Sequence, residues 1–174
     1  MARRFLPTMG KFPDWLVNGV STLGGLGYLG PAPGTSGAFA GTLFYGFFGR
    51  WMGFGWTLVL IVGLFIVGWA FSGESEHRMG KIDPGCVIFD EFAAMPIVFL
   101  GMSHPVDGWR LALFLLAGFG LFRFFDILKP LGISRIQKLP GGLGIMLDDT
   151  AAAIASCLLL HAGALVIGFV APVL

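Results

Sequence analysis

Residues 53–72 read GFGWTLVLIVGLFIVGWAFS, twenty positions without a charge. A helix of that length rises about 30 Å, the thickness of a bilayer's hydrocarbon core. The rest of the chain has the same character. Of its 174 residues 56% are hydrophobic and only 12% charged, and its mean hydropathy is +0.84. Soluble domains carry roughly 25% charge, so this chain has too little polar surface to cover a globule in water. The length argues for a single domain over residues 1–174. A net charge of +1 gives no global field that would draw nucleic acid. Cys86 and Cys157 are far apart and form no CxxC pair, which leaves neither a disulfide framework nor a zinc site.

Outward from that segment, the pattern predicts an all-α, polytopic membrane protein. It has about five transmembrane or half-spanning helices after a short N-terminal helix. The short helix is expected over about 14–28, before the break GPAPGTSG. Further helices are expected over 36–49, 53–72, 86–102 and 109–128, and in the apolar tail that follows GGLG, with GESEHRMGKIDPG as a polar loop. Arg3, Arg4, Lys11, Arg78, Lys81, Lys129, Arg135 and Lys138 fall on one side, and only Arg50 and Arg110 on the other. The positive-inside bias then puts the N-terminus in the cytoplasm.

With that topology the unusual polar residues gather at one depth. Asp90 and Glu91 follow Cys86 by four and five residues, about 6–8 Å into the cytoplasmic leaflet. Arg123, Asp126 and Lys129 close their helix on the same side, Asp148 and Asp149 open the last one, and PGTSG at 33–37 opens another. An acid at a helix centre costs roughly 2.5–3.5 kcal/mol on insertion scales, and less near the interface. Five acids beside so few cations need either protons or a divalent ion. A cluster of hard oxygen ligands suits Mg²⁺, with Asp90, Asp126, Asp148 and Asp149 as candidate ligands.

Each element alone admits a plainer reading. Asp90 and Glu91 fit a snorkelling or proton-sharing pair, and because neighbours on a helix point about 100° apart, both reach one cluster only where several helices wrap it. Arg123 and Asp126, at i,i+3, fit an intrahelical salt bridge. Asp148 and Asp149 fit acids at a helix N-terminus, and Thr35 or Ser36 fits an N-cap. His77, His104 and His161 have no metal-spaced partner. Joint placement in one leaflet favours a site instead, with Gly34, Thr35, Arg123 and Lys129 gripping a phosphate and Glu91 as a base.

Taken in order and spacing, PAPGTSGAFAG, VIFDEFAAM, LFRFFDILKP and GGLGIMLDDTAAA resemble the phosphatidylglycerophosphatase A family over about residues 24–160. The resemblance implies Mg²⁺-dependent dephosphorylation of phosphatidylglycerophosphate to phosphatidylglycerol in the bacterial inner membrane, with the site facing the cytoplasm. It points to Asp90, Glu91, Arg123, Asp126, Lys129, Asp148 and Asp149. Histidines that family members carry before the DE pair or before GGxG are not matched, and Pro140 occupies the second place. No C-x₅-R and no D-x-D-x-T run is present, which argues against phosphocysteine and aspartyl-nucleophile loops. A small ion- or proton-coupled transporter would spread its polar residues through the membrane's depth. A lipid phosphotransferase would carry a D-x₂-D-G-x₂-A-R run, which is missing here. Nothing indicates an oligomer.

Overall fold

A computed structural model describes residues 12–104, 108–130 and 142–167. Among them are six α-helices and no β-strand: α1 (Asp14–Ser21), α2 (Pro33–Phe47), α3 (Phe54–Met79), α4 (Phe89–Val98), α5 (Gly108–Leu128) and α6 (Gly142–Ile167). The all-helical expectation holds. The expectations that involve Arg3, Arg4, Lys11, Arg135, Lys138 and Pro140 lie outside the described residues.

Among the described residues three helices are long and apolar enough to cross a membrane: α3, α5 and Gly142–Val166 within α6. Only 11% of the α3 window is buried against protein, compared with 44% for α6. Trp56, Val59, Val62 and Ile66 repeat every three or four residues along α3, and all are exposed. That spacing makes one continuous apolar face, larger than a soluble monomer leaves in water. α6 lies further inside the bundle.

α2 and α4 are shorter than the ~20 residues a crossing needs. The apolar run 86–102 contributes a helix only over Phe89–Val98. Its start is pinned by the Ile88 amide, which donates to the Ser21 carbonyl (2.9 Å). Past its end, Gly101 takes φ 75°. α4 is hydrophobic because protein surrounds it: Ala93, Ala94, Met95, Pro96, Ile97 and Val98 are all buried. α2 lies directly on it. A Cβ on Gly37 would come 2.7 Å from the Ile88 carbonyl oxygen, and one on Gly41 2.6 Å from that of Phe92. Small residues at this spacing let two backbones touch. Beyond them Tyr45, Phe99, Phe114 and Phe122 fill the core between α2, α4 and α5.

Two boundaries differ from the sequence expectation. The short first helix stops at Ser21, because Leu23, Gly24 and Gly25 all take positive φ. α3 runs on through the expected polar loop to Met79 and ends on Gly80 in the left-handed conformation. Glu74 and Arg78 bond at i,i+4 (2.7 Å) along that extension. α6 crosses α3 there: a Cβ on Gly142 would lie 2.4 Å from the Trp69 carbonyl oxygen. Gly142→Ala should therefore cost about 1–3 kcal/mol by overpacking, read as a lower unfolding midpoint in detergent. Gly120→Ala, which meets nothing within 4 Å, should leave the midpoint unchanged or raise it.

Candidate active site

The start of α2, the end of α3, the start of α4, the end of α5 and the first turns of α6 meet at one end of the bundle. Asp90, Glu91 and Asp149 each bring a carboxylate oxygen to within 4.8 Å of the others. Asp90 and Asp149 are about 5% and 4% exposed. Adjacent residues on α4 reach one point because helices flank it on both sides. Asp90 and Glu91 meet Asp149 of α6, and Glu91 also turns to α2, where a Cβ on Gly34 would lie 2.2 Å from its Oε1. One buried oxygen on each acid, Asp90 Oδ1, Glu91 Oε2 and Asp149 Oδ2, has no hydrogen-bond partner. Buried polar atoms are otherwise almost always paired. Three carboxylates that converge on one point, each with an unpaired oxygen, fit a small divalent cation. Oxygens on opposite sides of an octahedral Mg²⁺ stand about 4 Å apart.

The remaining two acids are neutralised in place. Arg123 Nη1 donates to Asp126 Oδ2 at 2.5 Å, and Lys129 Nζ donates to Asp148 Oδ2 at 2.5 Å while standing 4.0 Å from Asp126 Oδ1. Asp126 and Asp148 thus lie outside the three-carboxylate group, each held by a cation. Lys129 follows the last residue of α5 with φ 43°. Burial works against its charge, but the Asp148 hydrogen bond and the charges of Asp148, Asp149 and Asp126 outweigh it, so its proton is held more tightly than usual. Arg123 also reaches α2: its Nη1 is 3.4 Å from the Cβ position of Gly34, and its buried Nε has no partner. The N-cap of α2 is Ala32, so Gly34 and Thr35 sit in the first turn. Amides of a first turn have no acceptor within the helix. A guanidinium, free helix amides and three carboxylates thus border one place.

Residues 19–164 match the family described as Phosphatidylglycerophosphatase A, a span that contains every residue just named. The chain belongs to the phosphatidylglycerophosphatase A family. It is 37% identical over 139 residues to phosphatidylglycerophosphatase A of Haemophilus influenzae, which covers 79% of this chain and 82% of that protein. With the Escherichia coli K12 protein of the same name it shares 33% over 132 residues, 74% of this chain and 72% of the relative. A Bacteroides thetaiotaomicron protein, named as a candidate phosphatidylinositol-3-phosphatase, is 32% identical over 161 residues, covering 91% of this chain and 99% of its own. No solved structure matches.

In this phosphatidylglycerophosphatase A family member the structure adds residues that the sequence reading put in a loop. Glu74 and Glu76 lie on the extended α3 and are buried. Glu76 Oε1 accepts the Asp83 amide (3.1 Å), and Asp83, at φ 49°, is near enough to bear electrostatically on Asp90 and Asp148. Glu76 therefore ties down the link that feeds Asp90 into α4. The i,i+4 pair Glu74–Arg78 was the sequence signal for that extra helix. α6 also differs from expectation. It begins at Gly142, so Asp148 and Asp149 lie in its second turn, beyond the reach of the helix N-terminus. Its first residue is packed on Trp69 and Gly73. The helix start that faces the acids is that of α2.

Proposed function

We propose that this protein hydrolyses the terminal phosphate of phosphatidylglycerophosphate, giving phosphatidylglycerol and inorganic phosphate, in glycerophospholipid synthesis at the cytoplasmic face of a bacterial inner membrane. One observation carries the chemistry. Two buried carboxylates and a half-buried one, each with an unpaired oxygen, surround one point beside an arginine and a helix start. Phosphatidylglycerophosphatase A of two organisms, at 37% and 33% identity, supports the substrate. The lysine and arginine bias supports the orientation, because Arg78, Lys81, Arg123 and Lys129 all lie at the site's end of the bundle.

Asp90, Glu91 and Asp149 would hold Mg²⁺, which when bound offsets their charge and that of the phosphate dianion and polarises a water. Arg123 and Lys129 take the non-bridging phosphate oxygens, and Asp126 and Asp148 keep the two cations oriented. The Gly34 and Thr35 amides point positive partial charge at the same group. Water oxygen attacks phosphorus and the bond to the glycerol oxygen breaks. Glu91, against the start of α2, receives the proton that the water loses. The glycerol oxygen takes up that proton from Glu91 as it leaves, which restores the carboxylate, and the diacyl tail stays in the leaflet.

Phosphate release from phosphatidylglycerophosphate in detergent micelles tests this. Release should require Mg²⁺ and stop with EDTA, and undiminished release in EDTA would sink the metal assignment. Arg123→Lys keeps a positive charge near Asp126 but loses the planar fork. It should lower kcat/KM by about 10²–10³-fold. The Bacteroides relative raises a second reading, hydrolysis of phosphatidylinositol 3-phosphate. Faster turnover of that lipid than of phosphatidylglycerophosphate would favour it.

A further inference from the structure

The opposite ends of α2 and α5 frame a second feature. A groove of about 160 Å³ lies between them, lined by Leu43, Gly46, Phe47, Arg50, Leu111 and Leu115. Gly46 lets the helices close on each other, since a Cβ there would lie 2.8 Å from Leu115 Cδ1. Leu43 and Phe47 are exposed on the side of the bundle, so the groove faces lipid. Its lining is apolar apart from Arg50. The Arg50 guanidinium stands 4.5 Å from the centre of the Trp51 ring, and its buried Nε has no hydrogen-bond partner. A buried, unpaired N–H on a cation calls for an anionic acceptor.

Among the described residues that line the groove, none is an acid. His104 is the neighbouring titratable group. Burial, with the Arg50 charge adding to it, pushes the imidazole's pKa down. Its Nε2 is bonded to the Tyr45 hydroxyl (2.8 Å). Trp51, Trp56 and Trp109 are all strongly exposed at this end, as in the aromatic belt at a membrane–water interface. From Gly34 to Phe47 α2 rises roughly 20 Å, which carries this groove toward the headgroups of the leaflet opposite the carboxylates.

We propose that the groove binds an anionic glycerophospholipid of that opposite leaflet, with its phosphodiester on Arg50 and one acyl chain along Leu43, Leu111 and Leu115. An apolar trough ending in one fixed positive charge, at headgroup depth, matches a molecule with a long apolar chain and one negative headgroup. Free phosphate would have no use for the trough, and a zwitterionic lipid would bring no net negative charge to Arg50. No carboxylate is among the described residues that line the groove, and the lipid is a bound ligand that ties α2 to α5.

The test uses the full chain in a non-ionic detergent, with dioleoylphosphatidylserine as probe because it carries no phosphomonoester and is not a product of the reaction. Phosphatidylserine should raise the unfolding midpoint by about 2–4 °C, whereas dioleoylphosphatidylcholine should not, and any shift from inorganic phosphate should survive Arg50→Gln. Arg50→Gln should remove the shift with phosphate release at saturating substrate unchanged, while Asp149→Asn should keep it. Leu115→Trp, which fills the trough, should remove it as well and carries the test should Arg50→Gln fail to fold. An equal shift with phosphatidylcholine, a shift with inorganic phosphate that needs Arg50, or a phosphatidylserine shift that survives Arg50→Gln or Leu115→Trp would each overturn the proposal. So would a shift lost in Asp149→Asn, which would place the lipid at the carboxylates.

Discussion

Asp149→Asn should lower phosphate release by about 10³-fold or more in kcat, and in EDTA the variant should unfold no earlier than the wild type. Both halves follow from the same geometry. The three carboxylates stand within 4.8 Å of one another. At that spacing two ionised groups oppose each other by about 3 kcal/mol at an effective dielectric of about 20. An amide of the same size removes one charge and keeps the shape, so the metal-free protein loses repulsion. It also loses a ligand. Mg²⁺ should raise the unfolding midpoint of the wild type, because it binds only the folded state, and should do little for the variant. A wild-type Mg²⁺ shift in Asp149→Asn, or activity within tenfold of wild type, would remove this residue from the metal site. Asp148→Asn is the matched control. Asp148 is the preceding residue on α6 but faces Lys129 at 2.5 Å. Its loss frees that lysine, so activity should fall while the Mg²⁺ shift remains.

The contrast between those neighbours marks what the sequence could and could not reveal. That acids from several segments gather at one end of the bundle was legible from their positions along apolar runs, and Arg123–Asp126 from its i,i+3 spacing. Which acids remain unpaired was not. Lys129 reaches Asp148 across separate helices, and no spacing rule covers such a pair. The fold shows the same division. The twenty uncharged residues of α3 identify a crossing by length alone. α4 is equally apolar, but because protein encloses it, and hydropathy does not distinguish a lipid neighbour from a protein one. The last turns of α3 were missed for the opposite reason. GESEHR is polar enough for a loop, yet Arg78 bonds to Glu74 and the Phe12 carbonyl and pairs with Asp14, while Gly73 packs on Gly142. Those tertiary contacts outweigh composition, and Glu76 and Asp83 come to the site's edge with them.

Gly34→Ala should reduce kcat/KM by about 10²-fold with the fold intact. The added methyl would lie 2.2 Å from Glu91 Oε1 and 3.4 Å from Arg123 Nη1. Glu91 Oε1 is the end of a flexible side chain, so the acid swings aside and the backbone stays. A displacement of about 1 Å in a catalytic group is enough for a loss of that size. Alanine favours helix over glycine by about 1 kcal/mol, so α2 itself should not suffer. Gly37→Ala is the contrasting case one turn on. Its methyl would lie 2.7 Å from the Ile88 carbonyl oxygen, which belongs to the backbone and cannot rotate away. There the unfolding midpoint should drop along with activity. Gly53→Ala, with nothing within 4 Å, should change neither. If small residues merely let α2 approach α4, then Gly34→Ala and Gly37→Ala would fail alike, both by destabilisation. If Gly34 reserves room for the Glu91 carboxylate, only Gly34→Ala separates activity from stability, and its unfolding midpoint should match the wild type while turnover collapses.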